Sequence, residues 1–404
     1  MKIAIVGAGA AGFFAAINAK ENYPDAEVVI LEKTKKILSK VKVSGGGRCN
    51  LTNDCATIKE LVEGYPRGGN LLKRAFRSFD NKQVMDWFES RGVRLVVQKD
   101  RCVFPASQNS QSIIDCFLEQ TQRLNINIEL ECGVRAIRKR GDKLQLTFVG
   151  GELPVRTFDK VIVATGGSPK RDGLVWLEKL KHKIVAPVPS LFTFNMPDEP
   201  VSELMGIVVE ESLVSIQGTR FKAAGPLLVT HWGMSGPAIL KLSALAARFL
   251  SEENYAFKVQ VNWTNVRSQD AVTEMLTMLT AEHPQKLVSN ARPYSLPDRL
   301  WNYLLEKSDV PCDRKWSELG KAGLNRLVNV LTNDVYAVNG RTRHRDEFVT
   351  CGGVSLESID LKTMQSKVCD HLYFSGEVMD IDGITGGYNF QAAWTTAFIA
   401  AQLN

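Results

Sequence analysis

The eight cysteines (49, 55, 102, 116, 132, 312, 351 and 369) contain no CxxC pair, and none of their spacings fits a zinc site. The chain therefore lacks the dithiol through which a thioredoxin-reductase-type enzyme passes electrons to a disulfide. No apolar run approaches the roughly 18 residues needed to span a bilayer. Internal repeats and low-complexity tracts are missing as well. An export signal is not expected, because three glycines interrupt the apolar stretch after Lys2 and would break the helix such a signal needs. Reduced thiols and a cytoplasmic location follow. Net charge is only +6, with a pI near 8.8, which permits a nucleic-acid or anionic partner without requiring one. What remains is a globular composition, 44% hydrophobic and 23% charged over 404 residues. At about 100–200 residues per domain, that length predicts two or three domains.

The first 32 residues set the plan. Residues 3–6 are an apolar run too short for a helix, and they open onto Gly7-Ala8-Gly9-Ala10-Ala11-Gly12. An alanine-rich stretch follows, then a second β-branched run ending in Glu32. This is strand, glycine turn, helix, strand, acid. Gly7 makes the turn, Gly9 admits a pyrophosphate close to backbone, and Gly12 lets helix pack on strand. Glu32 lies 20 positions beyond Gly12, the usual spacing of a carboxylate that holds a ribose hydroxyl. An adenine-dinucleotide site is the expectation.

A basic loop, residues 33–42, then leads into Ser44-Gly45-Gly46-Gly47-Arg48-Cys49-Asn50, where backbone is expected to lie against a flat or anionic ligand. One helix is predicted over 70–91, a hairpin over 94–105, a helix over 110–123 and one strand over 126–137. The buried strand VIVAT runs into Gly166-Gly167, a second place for a ligand at a strand's end. Four prolines (187, 189, 197 and 200) punctuate a linker, after which residues 190–263 alternate as an antiparallel sheet with a helix near 235–250. Helical periodicity fills 268–332. The chain ends in a strand, a glycine-rich loop and a helix from about Gly387. The final strand and helix complete the nucleotide domain begun at the N-terminus, so the middle is inserted. A cofactor with a pyrophosphate at one end and a reactive ring at the other would use both glycine regions, which suits FAD better than a loosely held nicotinamide.

GAGAAG with its acid-ended second strand, SGGGRCNLTN, ATGG, THWGMSGPA and GEVMDIDGITGGYNFQAAW together resemble the BaiN-like family of bacterial NAD(P)/FAD-dependent oxidoreductases, some of whose members are aminoacetone oxidases. The resemblance runs nearly end to end. It implies an α/β fold with a split FAD-binding Rossmann-type domain, an inserted β-rich domain and a small helical domain. The expected boundaries are 1–190 and 351–404 for the FAD domain, 191–265 and 333–350 for the β-rich domain, and 266–332 for the helical one. By the same resemblance Gly7, Gly9, Ala10, Ala11 and Gly12 hold the pyrophosphate, and Glu32 and Lys33 the adenosine end. Gly45, Gly46, Arg48, Cys49 and Asn50 line the flavin, and Val134 meets the adenine. Ala164, Thr165 and Gly166 pass close to the cofactor, and Gly376 and Glu377 take the ribityl chain. Gly386, Gly387 and Asn389 place helix-end N–H groups at the pyrimidine side, where reduced flavin carries negative charge.

Proton donors are few. Cys49 sits beside Arg48, whose guanidinium would lower its thiol pKa; packing against the cofactor is the alternative. Cys102 carries the same pair of readings. His231, in THWGMSG, is expected at a strand end before a helix, placed as a general acid or as a structural histidine. Asp380 and Asp382 read as turn formers or ribityl neighbours. Arg341, Arg343, His344 and Arg345 form a basic cluster, either a solvated edge or a polyanion contact. The leading functional expectation is an FAD enzyme that uses NAD(P)H to reduce a conjugated C=C bond. The resemblance offers a small enone or a uracil of ribosomal RNA, with ribosomal RNA then a partner. An O₂-dependent amine oxidase and a flavin-containing RNA-binding protein are the alternatives.

Overall fold

The computed structural model describes residues 1–151, 153–341 and 349–404. The chain divides into two compact units: residues 1–190 with 349–404, and residues 191–341.

In the first unit the apolar run near the N-terminus becomes strand β1 (Lys2–Val6), followed by helix α1 (Ala10–Asn22) and strand β2 (Glu27–Leu31). β1 is the centre of a five-stranded parallel sheet, flanked by β2 and Asn127–Glu129 on one side and by Lys160–Val163 and Leu372–Phe374 on the other. Residues 3–6 are almost wholly buried, as continuous apolar strands are when both faces of a sheet are covered. α1 buries Ala11 through Ala19 without a polar stripe, and the terminal helix Tyr388–Ala400 is buried in the same way. The two meet in an aromatic cluster, where the Phe14 ring lies 4.5 Å from Trp87 and 5.3 Å from Trp394. Full burial of each such side chain contributes roughly 1.5–3 kcal/mol.

Several expected elements are interrupted. The single helix expected over 70–91 is two, Gly69–Ala75 and Asn81–Glu89. Asp80 starts the second by accepting from the N–H groups of Lys82 and Gln83, and Gln83 returns a bond to the Asp80 N–H at 2.9 Å. That capping box outweighs the continuous apolar pattern. The strand expected over 126–137 is also two. Asn127–Glu129 joins the parallel sheet, and Val134–Arg140 begins a three-stranded antiparallel one after Glu131 turns left-handed (φ +57°). The basic loop after Glu32 contains a helical turn from Ser39 that breaks at Ser44. The helix near 235–250 divides at Ala246 into Pro237–Leu245 and Ala247–Glu252.

The second unit is a six-stranded antiparallel sheet. Strands Val208–Ile216, Lys222–Thr230, Ala256–Asn262 and Asp334–Asn339 form most of it. Val214, Ile216, Val259 and Val261 point to one face and are wholly or almost wholly buried. Helices Gln269–Glu282, Asp298–Lys307 and Gly320–Asn333 share that core, which encloses Trp263, Trp301 and Trp316. Buried Asp334 is held by Lys307 Nζ at 2.5 Å, by Trp263 Nε1 at 2.9 Å and by the Tyr336 hydroxyl. The α/β class holds: a Rossmann-type parallel sheet, with a β-rich sheet and further helices beside it in sequence. Among the described residues no helix is long and apolar enough to cross a membrane.

Candidate functional site

The N-terminal turn separates glycines that pack from one that faces open space. A β-carbon on Gly7 would lie 2.5 Å from Ala164 O, and one on Gly12 1.9 Å from Gly7 O. On Gly9 it would meet nothing within 4 Å. Bare backbone at Gly9 therefore adjoins a space that no other part of the chain fills. α1 begins there with no side-chain cap, leaving first-turn N–H groups, including those of Ala10 and Ala11, available to an anion. Glu32 closes the other side. One of its oxygens accepts from the Ala8 N–H (2.9 Å) and the other from the Thr34 N–H (2.9 Å). Cys132 N–H donates to Glu32 O at 2.7 Å, which brings the segment leading to Val134 alongside, and Lys33 is exposed next to it. The space, the uncapped helix and the carboxylate fit the ADP half of FAD.

A second set of loops gathers around the start of the terminal helix. Gly45 and Gly46 turn the chain left-handed after the helical turn from Ser39. Arg48 folds over the Phe104 ring (4.2 Å) and donates to Gly45 O (3.1 Å) and Gln108 Oε1 (3.3 Å). With its amide oriented to satisfy both neighbours, Asn50 donates to Thr52 O (3.1 Å) and accepts from the Gly387 N–H (3.3 Å). Asn53 Nδ2 donates to Gly386 O at 3.2 Å. Gly387 passes so close to this strand that a β-carbon would lie 2.4 Å from Thr52 C. Asn389 spends its side chain closing the loop, accepting from Gly383 N–H (2.8 Å) and donating to Gly383 O (2.9 Å), so only its backbone is free for a ligand. The helix again has no side-chain cap.

Between these regions the 375–377 turn follows the strand Leu372–Phe374. Ala164 N–H donates to Val6 O (2.8 Å), which fixes the start of the Ala164-Thr165-Gly166 segment beside β1. Gly376 N–H donates to Thr396 Oγ1 at 2.9 Å. Glu377 accepts from the Thr350 N–H (2.7 Å) and pairs with Lys40 (2.8 Å). The Ser375 hydroxyl is wholly buried and has no partner among the described residues.

The proton-donor candidates fare differently. Cys49 is wholly buried, and burial pushes its thiol up to about 12 against a weaker opposing bond with Ser44. The expected lowering by Arg48 is therefore corrected: that guanidinium lies over Phe104, and desolvation dominates the thiol. Cys102 is buried in the short strand Cys102–Pro105, directly opposite Asn53. His231 belongs to the second unit. It is exposed in the two-residue turn between Lys222–Thr230 and Gly233–Ser235, so it caps a hairpin and does not join a strand to a helix. Arg341 stacks its guanidinium 5.2 Å from the Tyr255 ring, while Arg343, His344 and Arg345 lie outside the described residues.

Two sets of contacts escaped sequence reasoning, which read Asp382 only as a turn former or ribityl neighbour. Asp382 is wholly buried and gripped by Arg67 through two hydrogen bonds, one of them Nε to Oδ1 at 2.6 Å, with Ser190 Oγ adding a third at 2.9 Å. Desolvation still pulls its carboxyl above the usual range, against the pull of Arg67. Tyr388, the first residue of the terminal helix, slots its ring against Gly64, where a β-carbon would lie 2.3 Å away, and its hydroxyl lies 3.7 Å from Cys55 Sγ. Neither contact has a fixed sequence spacing. The only signal was the density of glycines at 64, 383 and 386.

A family model described as the HI0933-like protein Rossmann domain matches residues 1–403. The chain is 28% identical to the ribosomal RNA dihydrouridine synthase of Escherichia coli, over 98% of this chain and 96% of that one. It is 25% identical to the 3-dehydro-bile acid delta(4,6)-reductase of Clostridium scindens, over 99% and 98%. Among solved structures, 3-ketosteroid delta1-dehydrogenase from Sterolibacterium denitrificans superposes with a TM-score of 0.52 at 11% identity, covering 99% of this chain and 98% of that one. At that identity the likeness is one of fold.

Proposed function

Since the chain belongs to the HI0933-like Rossmann family, a family of FAD-dependent oxidoreductases, we propose that it reduces a C=C bond conjugated to a carbonyl, with a uracil of ribosomal RNA as substrate and NAD(P)H as electron donor. One observation carries the reading. The chain aligns end to end with two relatives whose names both denote saturation of such a bond, a uracil ring in one and a steroid dienone in the other. The net charge of +6 favours the RNA-borne substrate of the two.

FAD, when bound, supplies the hydride. The chain's own work is to bind, orient and protonate. The uncapped start of α1 and Glu32 hold the ADP end, and Gly9 leaves the space for it. The start of the terminal helix stabilises negative charge on the ring system, a role left to the backbone N–H of Asn389 because that of Gly387 is taken by Asn50. Reduction also requires a proton at the carbon next to the carbonyl. Cys102 Sγ is assigned that role, because Cys49 is sealed and Cys102 stands opposite Asn53, which is itself bonded to Gly386. Cys102→Ala is then expected to slow substrate reduction while leaving reduction of the flavin by NAD(P)H intact.

The test is the dihydrouridine content of ribosomal RNA with and without the active protein. Its loss on inactivation, and its return with the wild-type protein, is the expected result. No dihydrouridine in either case, together with turnover of small enones by the purified protein, moves the assignment to the enone reading favoured by the bile-acid relative.

A further inference from the structure

The second unit carries a cleft of about 370 Å³ on the sheet face opposite its core. Strand alternation builds it. With Val214, Ile216, Val259 and Val261 turned into the core, their neighbours Leu213, Ser215, Gln260 and Asn262 face the other way. Register then sets side chains in rows. Lys222 pairs with Ser215, which pairs with Gln260, so the three stand abreast across adjacent strands. Arg267 and Gln269, at the entry to helix Gln269–Glu282, and Thr332 and Asn333, at the end of helix Gly320–Asn333, complete the walls.

The chemistry of the lining is one-sided. All the residues except Leu213 are polar, two are cationic and none is acidic. Some basic side chains of this protein are paired with carboxylates, Lys40 with Glu377, Lys139 with Asp370 and Lys35 with Glu131. Lys222 and Arg267 are exposed and have no ion-pair partner among the described residues. The amides are held as a fixed set. Gln260 donates to Asn333, Gln269 donates to Thr332 Oγ1 at 3.2 Å, and buried Asn262 is anchored through Val266 O at 2.8 Å. Two unpaired cations beside a fixed set of amides match a phosphate next to a base edge, which amides read with both donors and acceptors. The volume lies in the range of small-ligand sites, about 300–1,000 Å³.

We propose that this cleft holds one nucleotide of an RNA strand, its phosphate between Lys222 and Arg267 and its base against the Gln260, Gln269 and Asn333 amides. The inference rests on the RNA reading of the substrate. It adds a strand-holding site on the second unit, built from residues to which the reaction assigns no part.

The experiment measures binding of a fluorescently labelled ribosomal RNA fragment to the FAD-loaded protein across a salt series. Lys222→Gln with Arg267→Gln is compared with wild type and with a control pair outside the cleft, Lys286→Gln with Lys321→Gln. FAD content and melting temperature equal to wild type certify the fold of each variant. The cleft pair is expected to lower the slope of log affinity against log salt by about 0.7, the value for one neutralised phosphate of a single strand. Arg267→Glu should weaken binding further, and the control pair should leave the slope near wild type. Uridine monophosphate should displace the RNA from wild type where uridine does not. An unchanged slope in the cleft pair, equal displacement by uridine, or a wild-type protein that does not bind the RNA each overturns the site. A cleft that passes these tests in a protein that forms no dihydrouridine leaves the site standing and removes the proposed reaction instead.

Discussion

Gly9 and Gly12 stand three residues apart in one turn, yet alanine at each is expected to fail in a different way. Gly9 has φ −92° and ψ −170°, extended backbone open to any residue, and a β-carbon there meets nothing within 4 Å. As a helix N-cap, alanine is poorer than glycine by several tenths to about 1 kcal/mol. Restricting the unfolded chain returns about 0.4–1 kcal/mol. The apoprotein of Gly9→Ala should therefore match wild type to within about 1 kcal/mol. Gly12 is the reverse case, because its β-carbon would lie 1.9 Å from Gly7 O, a backbone atom that cannot swing aside. Gly12→Ala must separate α1 from the turn and should cost about 3 kcal/mol, the upper end of overpacking. Urea denaturation of the three apoproteins measures these differences. Adding FAD then exposes Gly9. A ligand at 100 times its Kd stabilises by about 2.7 kcal/mol, and a methyl group in the space left for the pyrophosphate should abolish most of that gain. Released-flavin assays should find Gly9→Ala largely empty. If Gly9→Ala keeps its FAD, or if its apoprotein is as unstable as Gly12→Ala, the division of labour between the two glycines is refuted.

Asp382→Asn removes the buried carboxylate that Arg67 grips and should destabilise by about 3–5 kcal/mol in denaturant titration; a loss under 1 kcal/mol would mean the pair is solvated. Burial holds His182 below its ordinary value of 6.5, so below that pH the unfolded chain takes up a proton that the folded one refuses. Stability should therefore fall as pH drops from 6.5 toward the folded-state value, and His182→Gln should flatten that part of the profile; a slope unchanged by the substitution would assign it to another group. Cys312 is the exposed thiol and Cys49 the sealed one pushed up to about 12. Brief alkylation near neutral pH, read by peptide mass spectrometry, should label Cys312 and spare Cys49, and early labelling of Cys49 would contradict its burial.

Much of the first unit was legible because its signals are local. Periodicity and glycine spacing located β1, α1 and β2, and Glu32 closes the unit as the spacing required. Elements failed where a short-range bond outweighed the apolar pattern. Asp80 split one helix by capping the next, and a left-handed Glu131 divided one strand between two sheets. Around the candidate site, the glycine spacing located the open backbone at Gly9 and the close approach of backbone at Gly387. The environments of Cys49, Asp382 and Tyr388 could not, because each depends on contacts between residues far apart in the chain. Arg48 shows the limit most plainly: its neighbour in sequence is Cys49, but its neighbour in space is Phe104. The strand rows that set Lys222 beside Ser215 and Gln260 likewise required the register.

The central claim, that this flavoenzyme saturates a conjugated C=C bond, is met most directly by an anaerobic reoxidation experiment. The FAD-loaded protein is reduced with NAD(P)H in the absence of oxygen and then mixed with unmodified ribosomal RNA or with a small enone. The visible flavin absorbance should return, mole for mole with dihydrouracil or saturated ketone in the product. A flavin that stays reduced with both substrates and recovers its colour only when oxygen is admitted, consuming it with an amine, would contradict the account.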